Sequence, residues 1–234
     1  MKKSKILIFF FTIIFFSNSL SAKEPSKLIE EIVNEASIIL SSSDPVESKI
    51  IKLNNIAENN VDIDGISMYT LGNYRKVLNE DEKIKYKKLF KSYFLKSFSS
   101  RLVDYSDPKI TVVSSNKVNE KYTIVNTILE ETSKNPEIKI DWRIYTKNPE
   151  RPLIRDLIVE GLSLARTQKE EFKSIIQNNG GDINYLFKSL ADRNGSFVTG
   201  PTPGLMSIPN PTAWTGTIMS ENKIAASTPY LRIG

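Results

Sequence analysis

The 234-residue sequence contains neither cysteine nor histidine. Without cysteine the chain forms no disulfide and has no thiol nucleophile, whatever the redox state of its compartment. Without histidine it lacks the usual general base near neutral pH and the commonest zinc ligand. These two absences exclude Ser-His and Cys-His catalytic groups, and with them most hydrolase mechanisms.

The net charge gives little support for a nucleic-acid partner. Three of the 32 basic residues, Lys2, Lys3 and Lys5, lie at the very start of the chain, and 29 basic and 27 acidic residues remain after them. A nucleic-acid-binding domain needs a clearly basic face. The densest basic cluster falls at 85–96, where a solvated helix face is the favoured interpretation. We therefore predict no nucleic-acid partner.

Recognisable catalytic and metal-binding motifs are also missing. The chain contains no G-x-S-x-G, no G-x-G-x-x-G, no phosphate-binding loop and no metal-ligand spacing. Asp62 and Asp64 match the start of a calcium loop, but its twelfth position is Asn73 instead of glutamate and Gly65 is misplaced. Helix capping is the favoured role of these aspartates. We predict no catalytic residue, no metal and no cofactor.

The first 22 residues match a secretory signal peptide. A basic start precedes an 11-residue apolar stretch, Ile6–Phe16, interrupted only by Thr12, and small polar residues follow up to Ala22. A membrane-spanning helix needs about 20 apolar residues, so cleavage after Ala22 is favoured over a retained anchor. We predict that the exported chain begins at Lys23.

The end of the chain differs in composition from the rest. Residues 195–234 hold five of the ten glycines, five of the 11 prolines and only three charged residues. Because no apolar period runs through them, we predict a disordered tail. The predicted organisation is a signal peptide at 1–22, one folded domain at 23–194 and this tail at 195–234.

Residues 26–103 have the apolar spacing of consecutive helices, with residues recurring at intervals of three and four. Near the end of this region Phe90, Phe94 and Phe98 recur every four residues, and Leu102 continues the row. Such a row is usually part of a core. In a protein whose core encloses a ligand, the same side chains can line the pocket.

From Lys109 the apolar period changes to two, which is typical of strands. In the third of four predicted strands Ile138, Ile140, Trp142 and Ile144 share one face, and the residues between them are mostly charged. A sheet with one apolar and one polar face is antiparallel and covered by helices on one side. The predicted strands are 109–114, 122–129, 137–145 and 154–160.

Residues 155–190 contain the last predicted strand and two further helices. Gly161 ends the strand, Gly180 and Gly181 stop the first helix, and Asp182 begins the second. Both helices carry an apolar stripe that must pack against the sheet or the earlier helices. Helices followed by a sheet and then by helices predict an α+β fold.

Two blocks of the sequence resemble the MlaC, or toluene-tolerance, family. One is DLIVEGLSLARTQKEEF at 156–172, followed by an I-I-x-N-x-G-G-D-I pattern. The other lies at 66–98, where LGNYRK matches the family's L-G-x-Y-x-K. The resemblance covers about Leu28 to Arg193. Arg75 and Arg155 stand where the family usually has aromatic residues.

The resemblance implies a fold and a function. The fold is a four-stranded antiparallel sheet wrapped by N- and C-terminal helices around a deep apolar cavity. The function is a periplasmic phospholipid-binding shuttle, which moves lipid between an outer-membrane lipoprotein complex and an inner-membrane ABC transporter complex. Such a protein is a carrier of buried acyl chains and not an enzyme.

The expected lipid-binding residues combine the apolar face of the predicted sheet with aromatic residues of the helices. No cluster of arginines and backbone donors marks a phosphate cradle, so we expect little discrimination between headgroups. The predicted residues are Tyr69, Phe90, Phe94, Ile138, Ile140, Trp142, Ile144 and Leu157.

Two alternatives use the same cavity. An isomerase-like enzyme needs an acid–base group facing the cavity, and Glu160 at a strand end is the carboxylate whose position fits best. An adaptor that binds a small hydrophobic ligand or a protein would have a shallow cavity or an exposed apolar patch.

Overall fold

The computed structural model describes residues 23–105, 107–131 and 136–195. The predicted signal peptide and nearly all of the predicted tail, residues 196–234, lie outside the described residues. Within the described ranges no helix has the length and apolar character needed to cross a membrane.

Helices form the first part of the described chain, a sheet the middle and two helices the end. A short 3₁₀ helix, Gly72–Lys76, separates the third and fourth α-helices. The α-helices are α1 (Pro25–Ser41), α2 (Val46–Asn60), α3 (Ile63–Thr70), α4 (Glu80–Leu102), α5 (Leu164–Asn178) and α6 (Asn184–Gly195).

The sheet is an antiparallel meander in which each strand pairs with the next along the chain. The predicted α+β fold with an antiparallel sheet is confirmed, but the sheet has five strands instead of four. The strands are β1 (Ile110–Asn119), β2 (Tyr122–Leu129), β3 (Ile138–Tyr145), β4 (Leu153–Val159) and β5 (Leu162–Ser163).

The extra strand, β5, is only two residues long, so it leaves no periodic signal in the sequence. It folds back on β4 through Glu160 and Gly161, whose φ angles are 48° and 81°. Two consecutive positive φ values are typical of the tight hairpin turns that match the twist of a sheet. The predicted end of the strand at Gly161 is thus the turn into β5.

Strand β1 is longer than predicted, because it continues past Ser114 to Asn119. Its register against β2 shifts between Val112 and Ser114 and again between Lys117 and Asn119. These irregularities, together with exposure of most of the strand, explain why its second half shows no apolar alternation.

The helix boundaries follow from local hydrogen bonds. Asp62 precedes α3 and accepts the Gly65 N–H at 2.9 Å, which agrees with its predicted capping role. Asn79 and Glu82 exchange side-chain and backbone hydrogen bonds at the start of α4 in a capping box. Gly180, at φ 70°, and its successor supply the left-handed backbone that ends α5.

Two main apolar clusters hold these elements together. The first lies among α3, α4, α5 and α6 and contains the aromatic residues Tyr86, Phe90 and Phe172. The second joins α1 and α2 to the apolar face of the sheet, through residues such as Val125 and Ile144. The space that remains between the sheet and the helices is the candidate site.

Candidate functional site

An apolar cavity lies between the sheet and the helices and encloses about 150 Å³. Its walls come from α1, α2, the second half of α4, the apolar face of β1–β4 and the start of α5. Almost all of the surface is carbon, so the cavity offers water few hydrogen-bonding partners. An engineered apolar cavity of similar size, about 150 Å³, stays dry and binds benzene.

Five of the eight predicted lipid-binding residues line this cavity. Ile138, Ile140 and Trp142 come from β3, Leu157 comes from β4, and Phe94 comes from α4. Trp142 and Leu157 face each other across the β3–β4 pair, so they share one side of the sheet. The two-residue period of β3 therefore identified one wall of the cavity.

The other three predicted residues lie elsewhere. Ile144 is fully buried on the same face of β3, but in the cluster formed with α1 and α2. Phe90 is fully buried and packs edge-on against Phe172, with ring centroids 6.2 Å apart. Tyr69 is 42 % exposed and lies under the Lys169 ammonium group. That these three side chains bind lipid remains a prediction.

Helix geometry explains why the phenylalanine row divides. Residues four apart on an α-helix are offset by about 40°, so a row of three turns through about 80°. Phe90 consequently packs among the helices, whereas Phe94 and Phe98 reach the cavity. A spacing of four predicts one continuous stripe but does not indicate where that stripe passes from one layer to the next.

The α1 and α2 side chains that line the cavity were not among the predicted lipid-binding residues. Both helices show a clear apolar stripe, which predicts burial but not the identity of the neighbouring layer. The members of these stripes that line the cavity are Ile32, Val33, Ala36, Leu40, Leu53, Ile56 and Ala57.

Trp142 brings a polar atom into this apolar wall, and that atom is hydrogen-bonded. Its indole Nε1–H donates to Thr127 Oγ1 at 3.0 Å, and the Thr127 hydroxyl donates to the Ile140 carbonyl at 2.9 Å. A buried indole N–H without a partner is costly. The hydrogen bond leaves the apolar ring of Trp142 available to the cavity.

Among the described residues 28 line the cavity, and two of these carry a formal charge, Asp156 and Arg101. The Asp156 carboxylate accepts the Ser163 hydroxyl at 2.6 Å and the Ala165 N–H at 3.0 Å, and Arg143 lies 3.6 Å away. Asp156 thus holds the start of α5 against β4. Its oxygen atoms are engaged by protein groups instead of facing a ligand.

Arg101 lies in the last turn of α4 and is among the lining residues. Tyr105 and Pro108, also lining residues, come from the segment between α4 and β1. Ser37 of α1 also lines the cavity and donates its hydroxyl to the Pro108 carbonyl at 2.9 Å. Burial is the main cause that raises the pKa of Tyr105.

Glu160, the carboxylate of the isomerase alternative, does not line the cavity. It is exposed in the β4–β5 turn and accepts the backbone N–H of Lys139. Its geometry is that of a turn residue which ties β4 to β3. Among the described residues, the acidic side chain that lines the cavity is Asp156, with the partners given above.

A separate polar network joins the helices away from the cavity. Tyr93 donates to Gln168 Oε1 at 3.0 Å, Gln168 donates to Glu171 at 2.7 Å, and Arg193 Nη1 lies 3.3 Å from Glu171 Oε1. Burial raises the pKa of Glu171 to about 7, although Arg193 and Gln168 act in the opposite direction. The described part of the chain contains no group of three or more acidic side chains arranged to hold a metal ion.

Comparisons with known proteins agree with this arrangement. A family model described as "MlaC protein" matches residues 16–192. A search of curated proteins finds no match. A solved structure described as the phospholipid-binding protein from Ralstonia solanacearum in complex with a phospholipid is similar, with a TM-score of 0.62 and 16 % sequence identity. The similarity covers 74 % of this chain and 98 % of that chain, and it shows a shared fold.

Proposed function

The chain belongs to the MlaC family, and from this we propose that it is a carrier that binds phospholipid by its acyl chains. The observation that carries the proposal is the cavity, whose surface is almost wholly carbon and which is walled by both the sheet and the helices. A protein of the same fold is described as a complex with a phospholipid. These findings favour a binding protein over an enzyme.

The proposed location is the periplasm, and the proposed role is transport. Residues 1–22 match a cleavable signal peptide, which supports export. The proposed route runs between an outer-membrane lipoprotein complex and an inner-membrane ABC transporter complex, as expected for a shuttle of the lipid-asymmetry system. Family membership supports this route.

A carrier of this kind must exchange lipid with bilayers. Each methylene removed from water contributes about 0.8 kcal/mol of stabilisation, so the two acyl chains of a phospholipid are strongly disfavoured in water. A bilayer offers the same burial as the protein. The carrier therefore needs only an affinity close to that of the membrane, and a dry apolar cavity provides this without a catalytic group.

The size of the cavity implies that it enlarges on loading. A cavity of about 150 Å³ accommodates a molecule such as benzene, which has far fewer carbon atoms than a diacyl lipid. Within the described residues the sheet meets α1 and α2 mainly through apolar side chains, and no disulfide joins these layers. We expect the sheet and the helices to separate when acyl chains enter.

Native mass spectrometry of the exported protein tests the proposal. The expected result is folded protein carrying diacyl phospholipid, with delipidated protein regaining lipid from liposomes. A control variant that reverses a charge on the opposite, exposed face of β3, Lys139→Asp, should carry lipid as the wild type does. Folded wild type that emerges free of lipid and accepts none from liposomes contradicts the proposal.

A further inference from the structure

The closed cavity, in which the sheet packs against the helices, already has the size of a binding site for a small molecule. It encloses about 150 Å³. An engineered cavity of about this volume, lined by leucine, isoleucine and phenylalanine, stays dry and binds benzene or xenon. A diacyl lipid needs a larger space, which we expect to form only when the sheet and the helices separate. The closed cavity therefore suits a class of ligand other than lipid.

The side chains of the wall match that ligand class as well. More than half of the lining residues are isoleucine, leucine or phenylalanine. Phe94 and Phe98 both line the cavity and stack on each other, with ring centroids 5.8 Å apart and an angle of 6° between the rings. Trp142 adds a third aromatic ring, whose N–H is already bonded to Thr127. Aromatic rings attract one another at such distances, so a one-ring hydrocarbon gains contacts here beyond simple burial.

The polar side chains of the wall offer little to water. The Asn60 amide donates to the Ile56 carbonyl at 2.9 Å, and Ser37 and Asp156 are bonded to protein groups as described above. A buried water typically makes about three hydrogen bonds, and an apolar cavity without such partners stays dry. A hydrocarbon that enters consequently displaces no well-bound water, which favours its binding.

The small ligand and the lipid need the same space in two different sizes. In the closed arrangement Val125 and Ile144 of the sheet are fully buried in the cluster that joins the sheet to α1 and α2. A molecule of the size of benzene gains its contacts without separating these layers, whereas acyl chains require their separation. A ligand shifts a conformational equilibrium towards the state that binds it better. Hydrocarbon and lipid therefore oppose each other's binding, and this linkage is reciprocal.

We propose that the closed cavity is a binding site for uncharged hydrocarbons of about the size of benzene, and that their binding excludes phospholipid by holding the sheet against α1 and α2. The hydrocarbon site rests on the cavity alone, whereas its competition with lipid rests on the proposed function. The site selects against a hydroxyl group on the same ring, because that group would be buried without a hydrogen-bonding partner. Phenol is therefore the matched ligand that should bind much more weakly.

Titration of delipidated wild type with benzene tests the site directly. Methyl NMR spectra should show saturable shifts confined to the aliphatic residues of the wall, such as Leu53 and Ile140. The urea midpoint of unfolding should rise as benzene is added, because the ligand binds the folded state. Phenol at the same concentration should leave both measurements nearly unchanged. Shifts that do not saturate, or that spread over the protein surface, overturn the proposal.

A variant that fills the cavity provides a matched control. Ala36 of α1 lines the cavity and is half-buried, so Ala36→Leu adds three carbon atoms to the wall and should lose saturable benzene binding. Ala191→Leu adds the same atoms at an exposed position of α6 and should bind benzene as wild type does. Circular dichroism checks folding, and the methyl shifts of wild type locate the site even if Ala36→Leu is unfolded. Equal binding by the two folded variants contradicts the cavity as the site.

Lipid uptake from liposomes tests the exclusion. With free benzene at ten times its dissociation constant, the apparent dissociation constant of the lipid should rise about elevenfold, since the factor is one plus that ratio. The aqueous concentration of benzene is measured after equilibration with the liposomes. In Ala36→Leu benzene should leave lipid uptake unchanged relative to the same variant without benzene, which excludes an effect of benzene on the bilayer.

The outcomes of these experiments are distinct. If wild type takes up no lipid even without benzene, the carrier function fails, and the titration alone decides the hydrocarbon site. If lipid enters beside bound benzene, or if benzene inhibits uptake equally in wild type and Ala36→Leu, the exclusion is wrong while the carrier function stands. If benzene shows no saturable binding, the hydrocarbon site is wrong whatever the lipid assay gives.

Discussion

The Trp142 indole N–H donates to the Thr127 hydroxyl across the β2–β3 pair at 3.0 Å. The bond connects two neighbouring strands of the sheet and keeps a polar atom satisfied inside an apolar wall. Thr127 is itself buried, at 2 % exposure. The cavity wall therefore depends on a hydroxyl group that does not itself line the cavity.

Replacing Thr127 by valine should lower the free energy of unfolding by about 1–3 kcal/mol, because the indole N–H loses its partner in a buried position. Chemical denaturation measures the change. Thr123→Val is the matched control, since Thr123 is a buried threonine on the same face of β2, and it should change stability much less. Equal losses in the two variants would show that the Trp142 bond contributes nothing specific.

Replacing Trp142 by aspartate should abolish lipid binding. An unpaired carboxylate against hydrocarbon costs at least several kcal/mol, so the charge either excludes acyl chains or admits water. Mass spectrometry measures bound lipid, and circular dichroism must show that the variant is folded. Trp142→Phe keeps an aromatic surface and should retain lipid. If the aspartate variant is folded and still carries as much lipid as wild type, Trp142 does not contribute to the lipid-binding site.

The period of the strands predicted one wall of the site but not its limits. Ile140 and Trp142 line the cavity, yet Ile144, on the same face, packs into the core with α1 and α2. A two-residue period determines which face of a strand is buried. It carries no information on whether a helix covers a given position or leaves space above it.

The spacing of apolar residues in the helices predicts burial but, like the strand period, does not identify the neighbouring layer. Leu53 and Ile56 have the spacing of a buried stripe, but the spacing alone does not distinguish packing against α1 from facing a cavity. Arg101 was not predicted as a cavity-lining residue, because a charged residue near a helix C-terminus usually complements the helix dipole.

The exported protein should begin at Lys23. Cleavage after Ala22 removes the apolar stretch and the three lysines that precede it. The intact mass of protein recovered from the periplasm, together with N-terminal sequencing, identifies the cleavage site. Recovery of periplasmic material that retains Met1 contradicts the signal-peptide prediction.

Removal of residues 196–234 should change the free energy of unfolding by less than about 1 kcal/mol. The end of α6 is already held by α4, because Lys96 Nζ donates to the carbonyl groups of Arg193 and Asn194 at 3.0 and 3.3 Å. Denaturation of the truncated chain measures the effect, and Lys96→Gln shows that the assay detects loss of this contact. A larger loss on truncation would show that the tail packs on the folded domain.

Glu171 should make stability depend on pH. Burial raises its pKa from 4.5 to about 7, so the folded state retains the proton longer than the unfolded state. Its side chain is only 15 % exposed and faces Arg193 of α6, while Tyr93 of α4 is joined to it through Gln168. The stabilisation that comes from the protonated Glu171 side chain is complete below about pH 4.5 and is lost as the pH rises through 7.

Between pH 4.5 and 7, Glu171 changes the free energy of unfolding by at most about 1.4 kcal/mol per pH unit, because it exchanges one proton. Glu171→Gln keeps the shape of the side chain and its contact with Gln168 but cannot ionise. Subtracting the unfolding free energy of this variant from that of wild type isolates the contribution of Glu171 from other titrating groups. We expect the difference to decrease from pH 4.5 to 7 and to become constant above that range. A difference that is flat or increases with pH would show that the ion pair with Arg193 outweighs burial.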